Sequence, residues 1–418
     1  MFSKAAETYN LAQYADNLYR TNSDFTRDPL LHFSRVLTGI DSARTAWKRQ
    51  LPISLLQLLR NFRSREATDA RDKVFALIGL DVSRDKSVLP DYRLSAHDVY
   101  RNVAVALIRN TRSLSVLSGT LTDNGEQRRW SSWVTDWSVR PPPNEYERLC
   151  RLDLYSAARD LHGPVRLHKW SQESWALEVT GYYVGEITED SSKLPFGQAS
   201  RARYTAFGWE RMAHRVVREP CAFWRTLCAD LQIITDPTTP SSNEGQHHYQ
   251  RADNRGSTSF RIWTAEIQEN NRMKSIYGDV WLQTQTESKA RNEERTRFHY
   301  TVESASGHRT FFVTRKGHIG TGPPSLQIGD RIFVVAGSRV PLILRRSRLN
   351  DSHPPCQYGE TSVLIPDPTV DIQDITCSHS HAFAYEVVGD AYVHGIMDGE
   401  VVQQARRRRI ALERLYLV

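Results

Sequence analysis

The sequence predicts an α+β protein, in which a helical N-terminal part precedes a mainly antiparallel β-barrel-like or sandwich-like C-terminal part with helical insertions. Two patterns predict this class. Apolar residues in the first third of the chain recur at three- and four-residue spacing, as on one face of a helix. Short β-branched and aromatic runs separated by glycine turns fill the last third, as in small antiparallel sheets.

The composition is that of a globular intracellular protein. Of the 418 residues, 39% are hydrophobic and 25% charged, and this length predicts more than one core. No apolar run is long enough to span a membrane. The five cysteines are scattered and odd in number, which favours reduced thiols over a disulfide scaffold. We therefore expect a soluble, cytoplasmic protein.

The net charge of +7 is modest for this length, so a nucleic-acid partner is not expected. One dense basic run is present, Arg406–Arg409. Four successive arginines are typical of a solvated helix face, and a nuclear-targeting or anion-binding role stays open as the alternative.

Composition divides the chain into five predicted stretches. Proline, serine and threonine dominate the third, which predicts a mobile linker, and the run Pro141–Pro143 predicts the end of the first. The stretches are residues 1–145 (helical), 146–235 (strands plus a helix), 236–258 (linker), 259–296 (helical insertion) and 297–418 (antiparallel β with a basic C-terminal segment).

A short amphipathic helix is predicted within Glu66–Leu80. Thr68 or Asp69 can cap its start, and the acidic side chains there suit the positive end of the helix dipole. Gly79 is expected to close the helix in the left-handed conformation that glycine adopts without strain. The predicted buried face consists of Val74, Phe75, Leu77 and Ile78.

Arg71 and Asp72 are the charges of most interest on this helix. An arginine at the start of a short helix can reach a neighbouring element, and either Asp91 or Asp136 could supply the carboxylate. A buried pair of this kind fixes geometry more than it adds stability.

The remaining elements follow in order. Ser95 and Asp98 form a capping box before a second amphipathic helix, the alternation over Ser113–Leu117 predicts a strand, and Arg201–Leu231 has helical spacing. Gly317–Pro324 has the composition of a turn-rich connection. The main predicted strands are Ala176–Ile187, Thr310–Thr314, Ile328–Ala336, Val340–Arg345, Val363–Ile365, Ala382–Val388 and Ala391–Ile396.

Three tryptophans, Trp130, Trp133 and Trp137, crowd one short stretch together with Asp136. Such a cluster can form a stacking platform for a base or a sugar. It can also form an apolar plug that fixes a loop on the core. The pattern favours the plug and leaves the platform open.

Two groups of residues carry metal-binding or acid–base side chains. Cys377, His379 and His381, with His353 and Cys356 upstream, are suitable ligand types, but their spacing matches no closed zinc pattern, so a surface loop is favoured. His394 could act as a general base, and a structural role between two strands is the favoured alternative.

Several motifs, in the same order along the chain, resemble fungal heterokaryon-incompatibility (HET domain) proteins. Together they cover roughly residues 54–400. The segments are Arg71–Gly79, Pro90–Tyr92, Ser132–Trp137, Phe223–Leu227, Phe312–Thr314 with Gly317 and Gly320, Gly329–Asp330, Pro341 with Leu344–Arg345, and Val388–Glu400.

The resemblance implies a role in fungal non-self recognition, with other immune or incompatibility proteins as the expected partners. In that family a HET domain precedes the matched segment, is similar to a nucleotide-cleaving immune domain, and acts in some members through NAD loss and programmed cell death. This chain is expected to begin late in, or after, that domain. It is therefore expected to be a non-catalytic regulatory or scaffold fragment. The alternatives are a part of an NAD-cleaving effector completed by upstream sequence or a partner, and a basic nucleic-acid-binding protein.

No catalytic, cofactor-binding or metal-binding residue is assigned from the resemblance, and no cofactor is expected. The residues assigned to structural motifs are Arg71, Asp72, Phe75, Gly79, Trp133, Asp136, Trp137, Gly329, Asp330, Gly389, Tyr392, His394, Gly395, Asp398 and Gly399.

Overall fold

A computed structural model gives the fold of the chain. It describes residues 40, 43–45, 47–49, 53–80, 88–121, 131–170, 174–234, 248–265, 289–347, 361–365 and 383–418. These residues form an α+β fold with a large, mainly antiparallel sheet, which confirms the predicted class. The sheet is sandwich-like and is not a closed barrel.

The helices and strands are numbered in chain order, and residues 256–265 are also helical. The helices are α1 (Leu55–Phe62), α2 (Asp72–Ile78), α3 (Ala96–Thr111), α4 (Glu145–Cys150), α5 (Ala199–Val216), α6 (Ala222–Leu227), α7 (Lys289–Ser306) and α8 (Glu400–Arg408). The strands are β1 (Val165–Lys169), β2 (Trp175–Lys193), β3 (Leu231–Ile234), β4 (His248–Arg251), β5 (Thr310–Thr314), β6 (Ile319–Gly322), β7 (Arg331–Val335), β8 (Leu342–Arg346), β9 (Thr361–Ile365), β10 (Ala384–Asp390), β11 (Tyr392–Val393) and β12 (Glu413–Leu417).

Contacts divide the chain into two compact units. Among the described residues, unit 1 comprises those within 191–311, and unit 2 comprises those within 40–190 and 312–418. The borders fall inside strands β2 and β5.

The long strand β2 organises the sheet because it pairs with four strands, β1, β5, β7 and β12, along its length. Its residues Leu177–Gly181 pair with β12, and residues Gly181–Glu186 pair with β7. A Cβ atom at Gly181 would lie 2.8 Å from the carbonyl oxygen of Val334. Only glycine therefore allows both pairings to meet at this residue.

Unit 2 has apolar cores on both faces of its sheet. On one face, α3 residues such as Val103 and Ile108 belong to the same buried cluster as Phe333 and Leu415 of the sheet. The other cluster includes Val402 of α8 with strand residues of β7 and β8. Successive side chains of a strand point to opposite faces, and both faces are covered here. The strands therefore contain nearly continuous apolar runs.

Helix α2 confirms part of its prediction and corrects the rest. Val74 and Phe75 are buried, while Leu77 and Ile78 are partly buried against the same core. Gly79 has φ −67°, which is right-handed, so the predicted left-handed closure is wrong. The chain instead leaves the helix in a tight turn, in which Leu80 N–H donates to the Leu77 carbonyl.

Arg71 does not pair with Asp91 or Asp136. Its guanidinium lies 2.7 Å from the carboxylate of Asp69, and the Arg71 main-chain N–H donates to the same side chain. Arg71 itself is the N-cap, with no side-chain cap bond. Asp91 and Asp136 are each engaged by the residue two positions further on. An aspartate binds its own following backbone more readily than a distant cation, which explains all three cases.

The predicted Ser95 cap is confirmed, and two other local predictions are wrong. The Ser95 hydroxyl accepts from Asp98 N–H at 3.1 Å, as predicted for the start of α3. However, Ser115–Leu117 is a 3₁₀ turn rather than a strand, because Leu114 N–H bonds to the Gly337 carbonyl and its neighbours close the turn. The predicted connection Gly317–Pro324 contains strand β6, which pairs with β11.

Unit 1 is mainly helical around an aromatic core. Trp209 of α5 stacks on Phe311, with ring centroids 5.5 Å apart. Strands β3 and β4 form a small antiparallel sheet, in which Asp230 binds Arg251 at 2.7 Å. Strand β4 lies inside the stretch 236–258, so the C-terminal part of the predicted linker contains a paired strand.

Glu178 of β2 is a buried carboxylate surrounded by two arginines and a histidine. It is 2% exposed. Arg166 lies 2.9 Å, His168 2.6 Å and Arg414 3.3 Å from its oxygens. Burial raises the pKa of Glu178, but the His168 bond and the Arg414 charge outweigh burial and hold the pKa below its ordinary value.

The stability contributed by Glu178 is therefore expected to depend on pH. A depressed acid pKa stabilises the folded state above the unfolded pKa, and the contribution is lost as the pH falls through the lower folded value. The difference in melting temperature between the wild type and Glu178→Gln should be largest above pH about 5 and shrink below pH about 4. Thermal melts at constant ionic strength measure it, and a difference that does not change with pH would contradict the assignment.

Candidate functional site

The loop 131–137, named here the tryptophan loop, is buried although it contains no regular secondary structure. Trp133 and Trp137 are 0% and 3% exposed. Buried main-chain groups must find hydrogen-bond partners, and here they find them in distant parts of unit 2. Asp136 N–H donates to the Leu121 carbonyl, and the Thr135 hydroxyl donates to the Val116 carbonyl.

Ser132 joins this loop to the sheet. Its hydroxyl accepts from Val387 N–H of β10 at 2.8 Å and donates to the main-chain oxygen of Val418. Strands β10 and β12 form a parallel pair with two register positions, Ala384 with Tyr416 and Tyr385 with Leu417. The Ser132 hydroxyl therefore continues the bonding between these strands beyond the point where their direct pairing ends.

Trp133 is a plug rather than a stacking platform. The ring is fully buried, and its Nε1–H donates to the Trp175 carbonyl at 2.9 Å. A ring without exposed area offers no face to a base or a sugar. Trp137 is buried in the same way, and Trp130 lies outside the described residues.

A small cleft, with about 10 Å³ of free space for a water-sized molecule, lies at the end of the tryptophan loop. We name it the arginine pocket. Its polar wall includes Arg60, Arg63, Glu145 and Tyr146, and the ring of Trp137 forms part of its apolar wall.

Arg63 is the structural cation of the pocket. Its guanidinium donates to the Asp136 carbonyl at 2.7 Å and to the Val139 carbonyl at 3.0 Å. It also lies 3.4 Å from the Glu145 carboxylate and 5.5 Å from the Trp137 ring centroid. Burial lowers the pKa of Arg63, and these partners compensate for the lost hydration.

Helix α4 connects the pocket to the sheet. Glu145 on its first turn binds Arg63, and Arg148 one turn later binds Asp390 at the end of β10. Asp390 is 2% exposed, and its carboxylate also accepts from Gly119 N–H at 2.8 Å. Residues three apart on a helix lie on neighbouring positions, so one short helix serves both pairs.

Arg60 differs from these two arginines. Its Nη2 donates to the Ser115 carbonyl at 2.5 Å. Among the described residues it forms no ion pair, because Glu145 and Asp390 are engaged by Arg63 and Arg148. Burial lowers the pKa of Arg60 to about 10, the nearby anionic groups compensating only in part.

The structure brings several of the predicted motif residues together in pairs. The ring of Tyr92, from the second motif, lies 5.2 Å from the guanidinium of Arg71, and its hydroxyl donates to Asp72 at 2.6 Å. Phe75 contacts the same ring edge-on. Arg71, Asp72 and Phe75 therefore form one cluster with Tyr92, while Gly79 has no neighbour that requires a glycine.

Asp330 and Arg345, from two further motifs, form another buried pair. The Arg345 guanidinium donates from Nε at 2.8 Å and from Nη2 at 2.9 Å, and Asp330 is 2% exposed. Gly329 precedes it with φ +93°, a left-handed conformation that favours glycine.

The last motif surrounds the start of α8. The main-chain N–H of His394 donates to the Ile319 carbonyl at 3.0 Å, which ties β11 to β6. Gly395 has φ +74°, and a Cβ at Gly399 would lie 2.9 Å from the Arg159 side chain. The ring of Tyr392 contacts the ring of Tyr155, and Asp398 N–H donates to the Glu400 carboxylate. A Cβ added at Gly389 would lie 2.7 Å from Pro323 Cγ.

Sequence reasoning missed the residues that hold the pocket together. These are Arg60, Arg63, Glu145 and Arg148. A signal was present for the first two, because Arg60 and Arg63 follow Leu56 at i+4 and i+7 and so share the apolar face of α1. No local pattern identifies which carboxylates they meet.

The residues weighed as metal ligands, for which a surface loop was favoured, lie outside the described residues: Cys377, His379, His381, His353 and Cys356. Within the described part of the chain, no group of three or more His, Cys, Asp or Glu side chains could hold a metal ion. No helix among the described residues is long and apolar enough to cross a membrane. Arg406 of the basic run pairs with Asp160 on the surface at 2.8 Å.

Comparisons with known proteins place these motifs in context. Residues 210–361 match the family model described as the Het-6 beta-barrel domain. The chain is 22% identical to heterokaryon incompatibility protein 6, OR allele, of Neurospora crassa over 423 positions, covering 89% of this chain and 54% of that protein. The chain therefore spans about half the length of this curated relative. No solved structure matches this chain.

The Arg148–Asp390 pair is expected to be a major determinant of stability. Asp390→Ala leaves a guanidinium that is 12% exposed without its carboxylate, and breaking a buried pair from one side costs about 3–5 kcal/mol of unfolding free energy. Urea unfolding measures the loss. The control is Asp160→Ala, which breaks an exposed pair with Arg406 and should change little. Equal losses in the two variants would refute the assigned role of Asp390.

Proposed function

We propose that the chain belongs to the fungal heterokaryon incompatibility family and that it acts in non-self recognition as a non-catalytic regulatory or scaffold element. The supporting observation is that the charged motif residues Asp330 and Asp390 are occupied in structural ion pairs. Asp330 and Asp390 are both buried in ion pairs with arginines, and each pair joins separate elements of unit 2. Side chains engaged in this way fix a surface for a partner instead of carrying chemistry.

The motif aromatics support the same role. Trp133 and Trp137 are buried and fix the tryptophan loop, while Tyr92 is 55% exposed beside Arg71. An exposed tyrosine with a neighbouring arginine is typical of protein-binding surfaces. We propose that the partner is another protein of the incompatibility system and that the interaction takes place in the cytoplasm.

A second candidate is that the chain forms part of an NAD-cleaving cell-death effector. The observation that favours it is length, because the curated relative extends well beyond the region that this chain matches, which is 54% of that protein. In this case upstream sequence or a partner chain would supply the catalytic groups.

Expression in paired fungal strains tests the first proposal and separates it from the second. The chain should change the outcome of fusion between strains, scored as cell death or barrage formation, while the purified chain leaves NAD intact. Asp390→Ala should lose the effect with its fold, and Arg407→Gln, on the exposed face of α8, should keep it. Loss of NAD in the purified chain alone would contradict the non-catalytic role. The absence of any fusion phenotype would contradict the family role.

A further inference from the structure

We propose that the exposed face of helix α5 is a docking surface for an acidic α-helix of a partner protein. This surface belongs to unit 1, goes beyond the proposed scaffold role and does not depend on it. One side of α5 is buried through Ala202, Ala206, Trp209 and Ala213. The opposite side, named here the α5 face, has the three- and four-residue spacing of a single helix face and consists of Arg201, Tyr204, Gly208, Arg211 and Arg215.

The α5 face is positively charged and lacks a matching carboxylate. Among the described residues, Arg201 and Arg211 have no carboxylate partner, and Arg201 donates to a glutamine amide instead. The acidic residue of α5 is Glu210, which lies off this face and pairs with His214 at 3.6 Å. Arg211 and Arg215 are one turn apart, and like charges at this spacing destabilise a helix. Carboxylates of a partner placed one turn apart would remove this repulsion.

Gly208 opens the middle of the α5 face to a second helix. A Cβ added at Gly208 would meet no described atom within 4 Å, so the fold itself does not require glycine there. A glycine inside a helix lowers stability relative to alanine. The missing side chain allows a second helix to approach closely, because side chains at the contact set the distance between packed helices. Tyr204, which is 58% exposed one turn away, would flank this contact.

Charge and shape together favour an acidic helix over a nucleic acid. Arg201 and Arg215 are about 21 Å apart along the axis, a distance that a helix of about four turns covers. The α5 helix contains arginines and no lysine, and arginine is enriched at protein interfaces where lysine is depleted. Each guanidinium can bind a carboxylate through two parallel hydrogen bonds. A small apolar side chain of a partner helix can also fill the space above Gly208, which a phosphate backbone cannot.

Titration of the purified full chain with a fluorescent acidic peptide, followed by fluorescence anisotropy, tests the surface. The probe is an alanine-based peptide of about 16 residues with glutamate at every fourth position, which places its carboxylates on one helix face. Binding should be saturable and should weaken as salt is added. Arg211→Glu should weaken binding roughly 5-fold or more, because it replaces an attraction by a repulsion. The matched control Arg407→Glu reverses an exposed arginine of α8 in unit 2 and should bind as the wild type does.

Gly208→Gln separates docking from a structural role. Glutamine is a better helix former than glycine and meets open space at this position. The variant should therefore melt at a higher temperature than the wild type and yet bind the peptide more weakly, because its side chain occupies the site of approach. A variant that is more stable and binds equally well would contradict the close helix contact.

Two further probes identify the class of partner. The same peptide with a central proline cannot form a continuous helix and should bind more weakly, and equal binding would overturn the helical partner. The proposal is also overturned if the acidic peptide does not bind saturably, if duplex DNA binds in its place, or if Arg211→Glu binds as tightly as the wild type. None of these measurements scores fusion between strains, so their failure leaves the proposed role in incompatibility to its own test.

Discussion

A buried loop without regular structure must satisfy its main-chain hydrogen bonds elsewhere, and in unit 2 this constraint governs the rest of the architecture. The tryptophan loop meets it by bonding to the ends of strands rather than to itself. Ser132 fills the gap where β10 and β12 stop pairing, and Trp133 bonds to the start of β2. Segments 255 residues apart in the chain are thereby held in one geometry. The apolar cores then pack around a frame that these bonds define.

The buried charges of unit 2 are likewise satisfied by partners on distant elements. Helix α4 has six residues and would be marginal alone, yet it holds Arg63 from α1 and Asp390 from β10 through two neighbouring side chains. Each pair stabilises only because both members are present, since a lone buried charge is costly. Arg60 lies beside these pairs and donates to the Ser115 carbonyl instead of a carboxylate.

The sequence predicted what depends on local pattern. The amphipathic faces of α2 and α3, the Ser95 cap and most strands of the sheet follow from spacing alone. It did not predict the partner of Arg71, because a nearby aspartate two residues away competes with every distant one. It also did not predict the 3₁₀ turn at Ser115–Leu117, where the tertiary bond from Leu114 to Gly337 overrides the alternating pattern. The arginine pocket combines α1, the tryptophan loop and α4, and such convergence is set by the fold rather than by any one segment.

The most direct test of the central constraint is the role of the Ser132 hydroxyl. Ser132→Ala should lower the unfolding free energy by about 1–3 kcal/mol, because it leaves a buried N–H and a buried oxygen without this partner. It should also speed hydrogen exchange at the amide of Val387. Ser138→Ala, at an exposed position just past the loop, is the control. If Ser132→Ala were as stable as Ser138→Ala and the Val387 amide equally protected, the loop would not be the element on which the sheet depends.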